Sequence, residues 1–221
     1  MREFLQGRVN LIKELLRSDI EFHYADLVLI ICTVLSACAS RRWPSQAIGF
    51  DKKKFVELLV IYSSPDFRTS WVSVPSLLND GLISNNQTPY GTPGNDCDIY
   101  CDDEIDLSLE DAIEKYYPVP PDMLQEHCYA SLIYERLRCG YSHEYCAAKN
   151  ITHVQPSERD ARISYIGRLA NGTIKRMIGF HFDYLIRLAE YHVSILPSTC
   201  SKCPSCWWID KYKTKKMKTR R

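Results

Sequence analysis

Residues 26–40, Asp-Leu-Val-Leu-Ile-Ile-Cys-Thr-Val-Leu-Ser-Ala-Cys-Ala-Ser, form an almost unbroken apolar segment. The segment is apolar on every side of a helix, which is typical of a helix buried at the centre of a domain. Its most apolar part, residues 27–39, contains Thr33 and Ser36 and is shorter than the roughly 20 residues that span a bilayer. The sequence therefore predicts a core helix here, with the other elements packed around it.

The segments on either side predict more helices and one hairpin. Apolar residues at helical spacing mark three further helices, at Leu5, Val9, Ile12 and Leu16, at Phe55, Leu58, Leu59 and Tyr62, and at Phe182, Leu185, Ile186, Ala189, Val193 and Leu196. Asp51 is the predicted cap of the second of these. Residues 162–178 alternate in polarity around Asn171-Gly172, the strongest short hairpin signal. We predict a mainly α, up-and-down helical bundle with one β-hairpin inserted before the last long helix.

The chain of 221 residues is long enough for one domain, or for one domain with an added subdomain. We predict a single helical domain over residues 1–197 and a cysteine-rich, basic tail over residues 198–221. Within the domain, residues 84–104 are rich in turn formers and acids and predict a long loop. The acidic residues from Asp96 to Asp111 are interpreted as a solvated stretch.

Charge and cysteine content narrow the range of partners. The formal net charge is +1, so bulk charge does not predict a polyanion binder. Residues 211–221 are almost all basic, which favours either a solvated tail or an added attraction to nucleic acid. The first residues begin a charged amphipathic pattern rather than a secretory leader. We therefore expect a cytoplasmic protein without a membrane partner, whose ten cysteines are mostly thiols.

The sequence Arg138-Cys139-Gly140-Tyr141-Ser142-His143 combines two side chains suited to phosphate chemistry. Arginine binds a phosphate with a planar fork of donors, and histidine transfers protons near neutral pH. Five residues along an unbroken helix correspond to a rotation of about 140°, which would separate the pair. We predict that the helix opened by Pro121 ends at Gly140, so that both side chains face one cleft. In the alternative, Arg138 pairs with Glu135 and His143 is a surface residue.

The stretch from Leu132 to Glu144 resembles the signature of the HEPN superfamily, and the chain is similar to a bacterial-type member. That signature is an arginine, four to six residues and a histidine, after an apolar helix that often carries an aromatic residue. Tyr134 and Leu137 fit the lead-in, and the four-residue spacing lies within the family range. The position after the arginine, Cys139 here, is often Asn, Asp or His in active members.

The resemblance implies an RNA-binding, metal-independent endoribonuclease without a cofactor. It also implies a homodimer in which two Arg-His motifs line a composite site, in a toxin or stress-defence setting with a possible antitoxin-type protein partner. Arg138 would stabilise charge on the phosphate, and His143 would act as general base or acid. The supporting residues that would orient the histidine or the RNA are Tyr134, Tyr141, Ser142 and Glu144.

Two alternatives belong to other classes. The same helices can form a non-catalytic dimerisation or interaction module. Cys200, Cys203 and Cys206 have ligand-like spacing for zinc, with His192 as a candidate fourth ligand. A second C-x-x-C pair, which would complete a zinc ribbon, does not follow them, so a thiol-rich tail is the competing interpretation.

Overall fold

A computed structural model describes residues 1–18, 24–44, 49–84, 99–144, 150–154, 161–170, 173–196 and 207–211. The protein is mainly helical, with a small sheet and an antiparallel hairpin directly before the last long helix. The predicted class, a mainly α fold with an inserted hairpin, is therefore confirmed.

Four long helices surround the core. They are α1 (Arg2–Arg17), α2 (Tyr24–Arg42), α3 (Asp51–Tyr62) and α10 (Phe182–Ser194). The amphipathic helix α1 buries Leu5, Val9 and Ile12, as its spacing predicts. Helix α3 begins at Asp51 itself, one residue earlier than a capping role for Asp51 requires, and Phe50 occupies the cap position.

Helix α2 is the central helix, as predicted. It contacts α1, α3 and α10, but it is not buried on every side. Its buried residues lie on one broad face, and Thr33 and Ser40 on the opposite face are exposed. With 19 residues, it is the one helix of the described chain that is long and apolar enough to cross a membrane by length and composition. Core helices of soluble proteins and signal sequences meet the same criterion, and 44% of the apolar window of α2 is buried in this fold.

Short helices connect α3 to the sheet and to the motif. They are α4 (Val74–Asn79), α5 (Asp102–Ile105), α6 (Leu109–Lys115), α7 (Pro121–Glu126), α8 (Tyr129–Leu132) and α9 (Gly140–Glu144). Ser73 and Ser108 cap α4 and α6 by accepting backbone N–H groups three residues on. The helix predicted to open at Pro121 is in fact two helices, because the extended Cys128 pairs with Val72 in a β-bridge between them.

The sheet has four strands in the order β1 (Ile99–Cys101), β3 (Ile163–Ala170), β4 (Thr173–His181), β2 (Ile151–Val154). Strands β3 and β4 form the predicted hairpin, with Ala170 opposite Thr173; the turn residues between them lie outside the described residues. Strand β1 pairs antiparallel to β3, and β2 pairs parallel to β4.

The prediction of a loop over residues 84–104 is wrong in its last part, where β1 and the start of α5 lie. Residues 85–98 are outside the described chain. Pairing with Ser164, Tyr165 and Ile166 makes residues 99–101 a strand, and a three-residue strand has no alternation of its own to reveal it.

Part of the C-terminal tail returns to the domain. Residues 208–210 form a short 3₁₀ helix that packs on α3 and α7. The backbone N–H of Trp208 donates to Glu57, and its carbonyl accepts from Gln125 at 3.0 Å. Lys53 forms an ion pair with Asp210. These contacts fix the chain again after the cysteine-rich segment.

Candidate functional site

The Arg-His motif lies on a helix that continues through Gly140. Helix α8 leads into a π-helical stretch, Ile133–Cys139, and then into α9. Gly140 has φ −56° and ψ −55°, an ordinary right-handed helical conformation, so the prediction that the helix ends there is wrong. Gly140 and Tyr141 are buried, and the Tyr141 ring lies 6.5 Å from the Tyr24 ring of α2. This packing holds the last turn against the core.

Arg138 points between α2 and α3 and is partly buried. Its guanidinium lies 5.3 Å from the centre of the Tyr134 ring, and its Nη1 is 4.0 Å from Cys139 Sγ. The alternative partner Glu135 forms an ion pair with Lys52 instead, at 2.7 Å. Within the described chain, no carboxylate lies within 4.0 Å of the Arg138 guanidinium.

A polar pocket of about 110 Å³ surrounds Arg138. The residues that line it, besides Arg138, are Ser36, Ala39 and Ser40 of α2, Asp51, Lys54 and Phe55 of α3, and Tyr134. Ala39, Lys54, Phe55 and Tyr134 are buried and form its inner wall, whereas Ser40 and Asp51 are exposed at its rim. The Phe55 and Tyr134 rings meet edge to face at 5.4 Å, which fixes the ring beside Arg138.

Burial lowers the pKa of Arg138, but Cys139, Tyr134 and Asp51 outweigh this effect, so its pKa is raised. Burial raises the pKa of Tyr134, and Arg138 only partly opposes this effect. Burial also raises the pKa of the Cys32 thiol to about 12, with Arg138 again acting in the opposite direction. Both groups are therefore neutral at physiological pH. The pocket contains two cations, Lys54 and Arg138, against the single carboxylate of Asp51.

His143 lies away from this pocket. Ser142, His143 and Glu144 are exposed at the end of α9, whereas Tyr141 faces the core. His143 is five positions after Arg138 on the same continuous helix, and it is not among the residues that line the Arg138 pocket. Of the predicted supporting residues, Tyr134 lies beside Arg138, Ser142 and Glu144 flank His143, and Tyr141 anchors the helix. One chain thus does not bring the predicted catalytic pair together.

The candidate zinc ligands Cys200, Cys203 and Cys206 lie outside the described residues. His192, the suggested fourth ligand, is buried, with its Nε2 2.9 Å from Ser63 Oγ. Within the part of the chain that the structure describes, no group of three His, Cys, Asp or Glu residues could hold a metal ion.

A serine, a histidine and an aspartate meet at α4, although no sequence order indicates it. Ser76 Oγ is 2.7 Å from His127 Nδ1, and His127 Nε2 is 3.9 Å from Asp80 Oδ2. The side chain of Ser76 is inaccessible, since the residue is 1% exposed, and burial lowers the pKa of His127 to about 4. A substrate cannot reach this serine, so the three residues tie α4 to the end of α7.

The interpretation of the acidic stretch as solvated is wrong for two of its residues. Asp106 is buried; it accepts the Val74 N–H at 3.0 Å and the hydroxyls of Tyr129 and Tyr165. Asp102, also buried, pairs with Arg162 at 3.0 Å. Hydrogen-bond donors supplied from α4, α8 and β3 make this burial possible, and such distant partners leave no signal in the local sequence.

Comparison with known proteins finds no matching family model, no matching curated protein and no matching solved structure.

Proposed function

We propose that the chain binds RNA and cleaves it as a metal-independent endoribonuclease of the HEPN type, using Arg138 and His143. The main support for this proposal is the environment of the Arg138 side chain. Its guanidinium is partly buried and lines a polar pocket, and among the described residues no carboxylate lies within 4.0 Å of it, although Asp51 acts on it from the rim. A cation held in this way is suited to bind a phosphate oxygen.

The active form is a homodimer in this proposal. Within one chain, His143 is exposed and is not among the residues that line the Arg138 pocket, which supports a site completed by a second copy. A two-fold axis beside the helix lets the arginine of one copy and the exposed histidine of the other flank the same phosphodiester. Each dimer then contains two equivalent composite sites.

The reaction assigns one role to each side chain. His143 takes the proton from the ribose 2′-hydroxyl, or gives one to the departing 5′-oxygen. The 2′-oxygen attacks the phosphorus, and the bond from phosphorus to the 5′-oxygen breaks. Arg138 stabilises the negative charge that develops on the phosphate oxygens. Tyr134 holds the guanidinium through its ring, and Ser142 and Glu144 are placed to orient His143 or the RNA.

The test combines two single variants with their mixture. Arg138→Ala and His143→Ala should each lower RNA cleavage at least about a hundredfold in the presence of EDTA. Co-refolding the two variants should restore about a quarter of the wild-type activity, because half of the dimers are mixed and each has one intact composite site. Arg136→Ala is the matched control on the same helix, since Arg136 pairs with Asp80 away from the pocket.

Several outcomes contradict this proposal. Wild-type protein that leaves total RNA intact rejects the nuclease function. Full activity in either single variant rejects the assigned residues. Loss in both variants without recovery on mixing rejects the composite site.

The second candidate function is a non-catalytic helical dimerisation or interaction module. The separation of Arg138 from His143 within the chain favours it. It predicts a stable dimer by analytical ultracentrifugation, no RNA cleavage, and no effect of His143→Ala on the dimer. The cytoplasmic location and the antitoxin-type protein partner stay predictions under either function.

A further inference from the structure

The central helix α2 has one open side. Thr33 and Ser40 are exposed there, and five half-buried residues lie on the same side of the helix. The residues of this surface, which we call the α2 stripe, are Asp26, Leu29, Ile30, Thr33, Ser36, Ala37 and Ser40. Steps of three and four residues are the spacing of a surface that packs against another helix. The α2 stripe therefore has the pattern of a helix–helix interface.

The chemistry of the α2 stripe is suited to burial. Helix α2 is apolar enough to cross a membrane by length and composition, but only 44% of its apolar window is buried. The Thr33 hydroxyl donates to the Leu29 carbonyl at 2.7 Å, so it is already bonded within the helix and can be covered at little cost. Covering Leu29 and Ile30 would remove partly exposed apolar surface from water, which is favourable.

The side chains of the α2 stripe are complementary to those of a second, identical stripe. When two α2 helices pack antiparallel about a two-fold axis at Thr33, residues equally far before and after Thr33 face each other. Leu29 then faces Ala37 of the other copy, and Ile30 faces Ser36. Each large side chain thus meets a small one, which lets the two helices interlock.

The charges at the ends of α2 favour the same arrangement. The first turn of α2 contains Asp26, and the last turn contains Arg41 and Arg42. In an antiparallel pair, the acidic end of each helix lies at the basic end of the other, and the attraction acts at both ends. This attraction between helix ends does not require any of the three side chains to lack contacts in its own chain. A parallel pair would bring like charges together.

We propose that the α2 stripe binds the α2 stripe of a second copy of the chain, antiparallel and with Thr33 at the two-fold axis. The inference deepens the proposed function, because it specifies how the partner copy of the composite site is held. It does not depend on RNA cleavage, since the two stripes can bind each other whether or not the dimer is a nuclease.

The antiparallel arrangement brings the Arg-His motifs of the two copies toward each other. The Tyr141 ring lies 6.5 Å from the Tyr24 ring at the start of α2, and His143 follows two residues later. Arg138 lies in the pocket that Ser40 lines near the end of α2. Because the start of each α2 lies against the end of the other, the histidine of one copy approaches the arginine pocket of the other. The interface therefore supports a composite site.

The oligomeric state tests the interface directly. Thr33→Arg places two cations against each other at the two-fold axis, so it should raise the dimer dissociation constant at least about a hundredfold. Sedimentation velocity over a series of protein concentrations measures this constant. Thr33 is exposed, so the variant should fold normally, which circular dichroism checks. Ser194→Arg is the matched control, because Ser194 is also exposed on a long helix and its hydroxyl donates to the Tyr191 carbonyl at 2.7 Å.

A double variant tests the direction and register of the two helices. Ala37→Glu should weaken the dimer, because the carboxylate would be covered by Leu29 of the other copy. Adding Leu29→Lys supplies a cation at that position, so the double variant should regain at least about tenfold in affinity. The two positions lie about 12 Å apart along one helix, too far for an ion pair within one chain. Failure to regain affinity rejects the antiparallel register.

The remaining outcomes distinguish the possible occupants of the α2 stripe. Wild-type protein that stays monomeric, or a dimer that Thr33→Arg leaves intact, overturns the inference. Monomeric wild-type protein that sediments with phosphatidylcholine–phosphatidylglycerol vesicles assigns the stripe to a lipid surface and also overturns it. A dimer that Thr33→Arg dissociates but that never cleaves RNA supports the interface and rejects the proposed function. Full RNA cleavage by monomeric Thr33→Arg supports the interface and rejects the composite site.

Discussion

Asp106 shows how a carboxylate is accommodated inside this fold. Its oxygens accept hydrogen bonds from the Val74 N–H and from the hydroxyls of Tyr129 and Tyr165. Burial nevertheless raises the pKa of Asp106 to about 7, because the hydrogen bonds only partly offset the loss of water around the charge. The two tyrosines therefore stabilise a group that the core would otherwise disfavour.

We predict that Tyr165→Phe lowers the free energy of unfolding by about 1–3 kcal/mol, because it removes a buried donor from Asp106. Urea unfolding at pH 7, followed by circular dichroism, measures the change. Tyr117→Phe also removes one hydroxyl, but at a residue that is 83% exposed, and it should change stability by less than about 0.5 kcal/mol. Similar effects of both variants would show that the Asp106 cluster contributes nothing specific.

At the level of single residues, the sequence indicated which side chains form the candidate site, but not how they are arranged. Arg138 lines the pocket, whereas His143 does not. Arg138 and His143 were predicted from their residue types and their place after an apolar helix, and their catalytic roles stay predictions. Lys54 was missed, since it follows Lys52 and Lys53 and differs from them only in helical phase. It precedes Leu58 by four residues and so lies on the buried face of α3, a position at which a lysine is not expected.

Among the elements, the 3₁₀ helix at residues 208–210 is the one whose position depends most on a titratable group. Glu57 accepts the Trp208 N–H, and burial, assisted by the nearby Asp210, raises the pKa of Glu57 to about 7. The folded state thus retains a proton that the unfolded chain releases near its ordinary value of 4.5. The contribution of Glu57 to stability is present at low pH and is lost as the pH rises toward 7.

We predict that Glu57→Gln is more stable than wild type at pH 8 and gains little at pH 4, because glutamine mimics the protonated acid and still accepts the N–H. Denaturation midpoints at the two pH values give the difference. Glu114→Gln, at an exposed position of α6, should show the same difference from wild type at both pH values. A pH-independent effect of Glu57→Gln would contradict the assigned cause.

Long elements with a clear period were predicted, and strand β1 and helix α5 were not. The helices α1, α2 and α10 and the β3–β4 hairpin have enough residues to show their periodicity. Strand β1 and helix α5 have three and four residues and depend on distant partners. Strand β1 pairs with β3, and Asp102 of α5 accepts hydrogen bonds from Arg162. The predicted helix end at Gly140 failed for a related reason. Packing of Tyr141 against α2 outweighs the tendency of glycine to stop a helix.

Over the whole molecule, buried histidines oppose the buried acids in their response to pH. Burial lowers the pKa of His127 to about 4 and that of His192 to about 3. Because the unfolded chain takes up these protons near 6.5, the stability from both residues is complete above that pH and is lost as the pH falls toward 4 and 3. Asp106 and Glu57 respond in the opposite direction between their ordinary values and about 7.

We predict that the double variant His127→Asn/His192→Gln gains stability relative to wild type as the pH falls from 7 to 4. Melting temperatures of both proteins are measured from pH 4 to pH 7. The same comparison at pH 8, where the histidines are neutral in both states, gives the stability lost through packing alone. A constant difference between the two proteins would mean that neither histidine changes protonation on unfolding.

The π-helical stretch before Gly140 affects the angle between Arg138 and His143 around the helix axis. A π turn closes over five residues where an α turn closes over four, so the motif helix carries a surplus residue. If Cys139 were absent, Arg138 and the histidine would be four residues apart, about 40° around an α-helix, and could meet the same ligand unaided. Under the proposed function, one amino acid of helix length thus separates a site that one chain could complete from one that would need a second copy.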